Sequence, residues 1–166
     1  MKTVFLVRHA KSNWDQPLLD DFDRPLNERG KVDAPKMGKL LKKKKIKPDM
    51  LYSSPARRAL TTAKLMIAEL GLPEHKIKSD RHLYHADEET LFDFLRTISD
   101  DYDEVMLFGH NPGMTEFANE LLSEGIVNIP TAGIVTGLLK IESWKDTKPG
   151  CGTLQSFDSP KMLRKD

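Results

Sequence analysis

The sequence predicts an α/β protein, a three-layer α/β/α sandwich with a central and mostly parallel sheet. Three observations predict it. Short runs of strand length, Thr3–Val7, Asp49–Tyr52 and Glu104–Phe108, are rich in apolar residues rather than alternating, as in strands covered on both faces. Between them lie stretches whose apolar residues recur three and four apart, the helical period. The two kinds of segment alternate along the chain, which is the order of a βαβ sheet.

Each element follows from its residues. Thr3-Val4-Phe5-Leu6-Val7 reads as a buried strand that stops abruptly at Arg8-His9. A polar loop, Lys11 to Pro25, is kept irregular by Pro17 and Pro25. Asn27 resembles a helix N-cap with Glu28 in the first turn, and the helix runs on through Met37, Leu40 and Leu41. It ends in Lys42-Lys43-Lys44-Lys45, read as cations at the negative end of a helix dipole on a solvated face. After Pro48, Asp49 to Tyr52 is a second strand, and Pro55 suits the first position of the following helix. Ala59, Ala63, Leu65, Met66 and Leu70 carry that helix to Gly71.

Lys76 to Ser79 is strand-like and leads into the irregular Arg81-His82-Leu83-Tyr84-His85. Thr90 to Ile98 is a third helix, and Glu104 to Phe108 a strand that stops at Gly109-His110-Asn111-Pro112-Gly113. A fourth helix runs from Met114 to Leu122. Gly133–Glu142 and Gly152–Phe157 alternate like strands and add antiparallel character at one side of the sheet.

The whole chain, residues 1–166, is expected to be a single domain. Its 26 Lys and Arg against 25 Asp and Glu leave a net charge of +1, which argues against bulk binding to nucleic acid. No apolar stretch is long enough for a transmembrane helix, so no membrane partner is expected. The Val4–Val7 run is too short for a signal-peptide core, and Cys151 alone allows neither an internal disulfide nor a cysteine-based zinc site. The expected compartment is the cytoplasm. No feature sets an oligomeric state, and a monomer suffices.

Three strands end in polar residues of one kind: Arg8-His9, then Ser54-Pro55-Ala56-Arg57-Arg58, then Gly109-His110. In open α/β sheets ligands gather at the carboxyl ends of the strands. Histidines and arginines delivered there suit the holding and transfer of a phosphoryl group. A guanidinium matches phosphate oxygens and stays charged, and a neutral imidazole is a competent nucleophile towards phosphorus. No carboxylate cluster marks a Mg²⁺ site and no Walker loop is present, so neither metal nor cofactor is expected.

These residues bear a resemblance. The segment RHAKSNWD, Arg8 to Asp15, resembles the RHG-type motif of the histidine phosphatase superfamily, and the run Ser54 to Ala63 and Gly109-His110-Asn111-Pro112 are similar, in order and separation, to its other motifs. That superfamily includes phosphoglycerate mutases and SixA-type phosphohistidine phosphatases, and the small size and RHAKS variant resemble the SixA-type subgroup. The resemblance implies a phosphoglycerate mutase-like fold and a metal-independent phosphatase. His9 would be its nucleophile, and Arg8, Arg58 and His110 would surround the phosphate. It also implies that Arg24 and Asn111 contact phosphate or substrate, and that Arg57 lies on the surface. The implied substrate is a phosphohistidine in a protein. A small-molecule phosphomonoester is the alternative, and a catalytically silent phosphate-binding module a further one.

The departures matter. Asp15 stands where mutase-like members carry a phosphate-contacting asparagine, and an anion there would repel phosphate. The glutamate acid of mutase-like members has no counterpart in Leu83-Tyr84-His85-Ala86-Asp87-Glu88 at the nearest position, His85. An acid contributes roughly 10²–10⁴-fold when an alkoxide is expelled. Imidazole leaves a labile P–N bond with far less help. The departure therefore favours phosphohistidine, with His85 and Asp87 as the candidate proton donors. His75 and His82 are read as structural.

Overall fold

The computed structural model describes residues 1–164, which contain six strands in one sheet and helices on both of its faces. The strands are β1 (Lys2–Arg8), β2 (Met50–Ser53), β3 (Ile77–Ser79), β4 (Glu104–Gly109), β5 (Ile134–Leu139) and β6 (Gly152–Asp158). Their order across the sheet is β3-β2-β4-β1-β5-β6. The first four pair in parallel, whereas β5 runs antiparallel to β1 and β6 antiparallel to β5. The sheet is therefore mostly parallel with antiparallel character on one side, as the sequence predicts.

The long helices are α1 (Glu28–Lys43), α2 (Arg57–Leu70), α3 (Glu88–Arg96) and α4 (Gly113–Leu122), with a single turn, α5 (Pro160–Leu163), after β6. Alternate residues of each central strand feed two cores. Phe5, Val7, Leu51, Met106 and Phe108 pack under Met37 and Leu41 of α1 and Met66 and Ile67 of α2. Val4, Leu6, Val105 and Leu107 pack under Leu91 and Leu95 of α3 and Phe117 and Leu121 of α4. This is why the strands read as apolar runs without alternation.

Local chemistry sets the element ends. The Asn27 side chain accepts a hydrogen bond from the Gly30 amide, the N-cap its residue type predicts. Gly30 is required there, because a Cβ would stand 2.2 Å from the Lys11 carbonyl oxygen. α1 thus presses directly on the chain leaving the end of β1. α2 ends at Gly71 in the left-handed conformation.

Two helices start two residues away from the expected position. α2 begins at Arg57, so Pro55 is not its first residue. The Ser54 hydroxyl accepts from the Ala56 amide and closes a turn that holds Pro55 and Ala56 outside the helix. α3 starts at Glu88 rather than Thr90, because Asp87 caps it by accepting from the Thr90 amide.

Candidate active site

Parallel pairing places the chemistry. Arg8 is in register with Gly109, and Ser53 with Phe108, so His9, Ser54 and His110 leave the same edge of the sheet side by side. The His9 amide donates to the Gly109 carbonyl and the Ser54 amide to the Phe108 carbonyl, which extends the alignment one residue past the strands. The His9 and His110 rings lie 5.1 Å apart. α2 starts from this edge, and its second residue, Arg58, is 1% exposed and reaches both imidazoles. A cleft of about 370 Å³ opens over the group.

The hydrogen bonds assign the tautomers. His9 Nδ1 lies 2.7 Å from the Ala10 carbonyl oxygen, so it carries the hydrogen and donates. Nε2 is left unprotonated and accepts a long hydrogen bond from Arg58 Nε at 3.4 Å. Arg58 Nη2 donates to His110 Nδ1 at 3.3 Å, and His110 Nε2 therefore donates to the Ser54 hydroxyl at 2.8 Å. The Thr62 hydroxyl donates to the Arg58 carbonyl and accepts from the Ala10 amide, tying α2 to the turn after His9.

Electrostatics keep both rings neutral. Burial lowers the pKa of His9 to about 4, helped by the charges of Arg58, Arg8 and Arg24 and opposed by its bond to Ala10. Burial likewise lowers His110, with His9, Arg58 and His85 adding to the effect and Asp21 opposing it. A neutral imidazole among guanidinium groups is an available nucleophile at neutral pH. The same guanidinium groups provide an anion site.

The other expected residues divide. Arg8 and Arg24 line the cleft with His9, Arg58 and His110. Arg8 Nη1 donates to the Ile129 carbonyl at 3.0 Å, while its Nε is buried without a partner. Arg24 is buried, donates through Nη1 to the Ser12 hydroxyl, and lies 3.5 Å from the ring of the exposed Trp14. Arg57 and Asp15 are both exposed and neither lines the cleft.

Two of the expected residues are engaged in bonds within the protein. Asn111 borders the cleft, but its carboxamide is fully engaged within the protein. It donates to Asn128 and to the Ile129 carbonyl, and accepts from the amide and hydroxyl of Thr115. The Asn111 side chain thus anchors the loop that receives Arg8. Asp87 is spent on capping α3, whereas His85 does stand in the cleft, its ring 4.9 Å from that of His110.

A residue that the sequence reading passed over sits at the centre. The Asp21 carboxylate accepts from Arg24 Nε and Nη2 on one oxygen. On the other it meets Arg58 Nη2 at 2.9 Å, the Tyr84 hydroxyl at 2.7 Å and His85 Nε2 at 2.8 Å. Burial alone would raise its pKa, but hydrogen bonds from Tyr84, His85, Arg24 and Arg58 hold it well below the usual carboxylate range. The available signal was its place three residues before Arg24, which becomes a contact only because Asp21–Asp23 forms a 3₁₀ turn.

The comparisons with known proteins agree with this geometry. Residues 4–87 match the family model described as the histidine phosphatase superfamily (branch 1). An uncharacterised chloroplastic protein of Arabidopsis thaliana is 31% identical over 96% of this chain and 78% of its own length. An uncharacterised protein of Mycobacterium tuberculosis is 30% identical over 93% of this chain and all of its own. Among solved structures, one assigned as the phosphohistidine phosphatase SixA of Agrobacterium tumefaciens superposes with a TM-score of 0.78. It is 28% identical and covers 96% of this chain and 98% of that one. The protein histidine phosphatase SixA bound to tungstate shares the fold at a TM-score of 0.83 and 24% identity, over 98% and 99% of the two chains. With matching motifs at the ends of β1 and β2 and a fold shared from end to end, the chain belongs to the histidine phosphatase superfamily (branch 1), as a SixA-type phosphatase.

Proposed function

We propose that this protein removes phosphate through a covalent phosphohistidine on His9, and that its substrate is a phosphohistidine in another protein. The carrying observation is the His9 tautomer. With Nδ1–H tied to the Ala10 carbonyl, Nε2 is the one nucleophilic atom of the ring, and it faces Arg58 inside a cleft also lined by Arg8 and Arg24. The three guanidinium groups hold the phosphoryl oxygens and offset the charge of the transition state. His110 closes the pocket and holds Arg58 by its Nδ1. The incoming phosphorus forms a bond to His9 Nε2 as its bond to the leaving group breaks. Water then takes the phosphoryl group and frees the imidazole.

One consideration supports the protein substrate, and another the oxyanion site. No glutamate stands at the position of the mutase-like acid, and a phosphohistidine needs the least protonation of its leaving group. The tungstate held by the SixA relative is an oxyanion of phosphate geometry, in keeping with an oxyanion site here. The second reading, a small-molecule phosphomonoesterase, draws on one observation of its own, the presence of His85 in the cleft.

The test is His9→Ala with a phosphohistidine peptide and a panel of sugar phosphates, in the presence of EDTA. The wild type should turn over the peptide fastest and be indifferent to EDTA, and the variant should be inactive on both classes. Undiminished turnover by His9→Ala overturns the nucleophile. Faster turnover of sugar phosphates overturns the substrate.

A further inference from the structure

The Asp21 carboxylate and the His85 imidazole form a pair that the phosphohistidine reading does not use. His85 is half exposed at the mouth of the cleft, where motion is expected, yet its Nε2 is directed onto Asp21 Oδ2 at 2.8 Å. Its backbone has φ 51°, in the left-handed region, sparsely populated for residues other than glycine. Tyr84 reinforces the arrangement from the preceding position. Its hydroxyl donates to the same Asp21 oxygen, and its ring lies 4.2 Å from that of His85. The His110 ring packs against both the His9 ring, at 5.1 Å, and the His85 ring, at 4.9 Å. Nucleophile and second imidazole therefore flank a common neighbour and line the same cleft.

We infer that Asp21 and His85 form an acid–base dyad, which extends the substrate range of this site to phosphomonoesters with poor leaving groups. This rests on His9 as the nucleophile. Asp21 is the positioning residue: it accepts the Nε2–H of His85, so that in the protonated ring Nδ1–H is the proton to be given. In the first step the phosphorus bonds to His9 Nε2 and the phosphorus–oxygen ester bond breaks. The electron pair of that bond goes to the leaving oxygen, which takes the proton from His85 Nδ1. In the second step water attacks the phosphohistidine, its proton passes to His85 Nδ1, and the P–N bond breaks with its pair returning to His9. Inorganic phosphate leaves and both histidines are restored.

Asp21 also contacts Arg24 and Arg58, so loss of activity alone would not identify the dyad. The leaving group separates the roles. A proton donor matters more as the leaving group becomes more basic, whereas misplaced arginines slow every substrate alike. The experiment measures kcat/KM on aryl phosphates from 2,4-dinitrophenyl to phenyl phosphate for the wild type, His85→Gln, Asp21→Asn and Asp21→Glu. His85 is an exposed residue whose replacement leaves both cores intact.

His85→Gln and Asp21→Asn should lose on the order of 10²-fold on phenyl phosphate and less than about tenfold on the dinitrophenyl ester. Asp21→Glu should recover part of the loss on the phenyl ester. An equal loss across the series overturns the dyad and leaves Asp21 as an anchor for the arginines. A gain of activity in Asp21→Asn also overturns it, by making the carboxylate a competitor of phosphate. Trapping of labelled phosphoenzyme keeps the underlying reading separate. Label should form on His85→Gln and Asp21→Asn and be absent from His9→Ala, and its absence from the wild type would remove the nucleophile itself.

Discussion

Arg57 and Arg58 are adjacent in sequence and opposite in circumstance. Arg57 is exposed, while Arg58 is buried and donates to the Asp21 carbonyl and carboxylate and to His110. Arg58→Ala should lower kcat/KM by on the order of 10²–10³, by analogy with a lost oxyanion donor. Arg57→Ala should change it by less than about threefold, as expected of a surface substitution. Steady-state kinetics on one aryl phosphate decide the matter, and equal losses would mean that the inward register of α2 has been misread. That choice between two arginines was legible through the family resemblance, because Ala59, Thr62 and Ala63 follow Arg58 in the register of the motif. The role of Asp21 was not. An aspartate in an acidic, proline-bounded loop looks solvated, and only the return of Tyr84 and His85 from 63 and 64 residues away gives its carboxylate those partners.

Among the elements, α4 and the segment before α3 are locked together by a glycine. A Cβ on Gly113 would stand 1.8 Å from the Ala86 carbonyl oxygen, so the first turn of α4 lies directly against the residue that follows His85. Gly113→Ala must displace one backbone or the other. The expected cost is about 1–3 kcal/mol, typical of overpacking, read from the midpoint of urea unfolding. If the segment carrying His85 is the part that yields, turnover of phenyl phosphate should fall more than that of the dinitrophenyl ester. The periodicity of α4 was plain from its apolar residues, but a close approach between two backbones leaves no mark beyond the glycine itself. The start of α2 shows a similar limit. Pro55 is a reasonable first helical residue, and the Ser54 hydroxyl overrides it by closing a turn on the Ala56 amide.

Across the whole molecule the charge balance of +1 is an average over unlike surfaces. The lysines 42 to 45 are exposed at the end of α1, far in character from the buried cluster of Arg24 and Arg58. Placing two neutral histidines in that cluster has a consequence for stability. The pKa of His9 is lowered from 6.5 to about 4, so the unfolded chain binds its proton more readily than the folded one. Folding stability is then fully present above pH 6.5 and is lost as the pH falls towards 4, with a slope of up to about 1.4 kcal/mol per pH unit for one such group. His110, also lowered, acts in the same direction. Urea unfolding at pH 4.5 and 7 should show this dependence, and His9→Asn should make it shallower. An unchanged slope in that variant would mean that His9 is not held neutral by its surroundings.

By itself the sequence determined the layered α/β architecture and the two imidazoles and arginines at the strand ends. Each of these depends on local patterns: apolar runs, helical periods and motifs a few residues long. Tertiary structure alone decided which nitrogen of His9 is unprotonated, that the Asn111 side chain is bonded to its neighbouring loop, and that Asp87 belongs to a helix cap. It also decided that the Asp21 carboxylate joins Arg24, Arg58, Tyr84 and His85. The physical reason is that a hydrogen bond takes its direction from two partners at once. Where the partners lie on distant segments, their meeting is set by the register of β1, β2 and β4 and by the packing of helices upon them, and neither is written in the residues on one side alone.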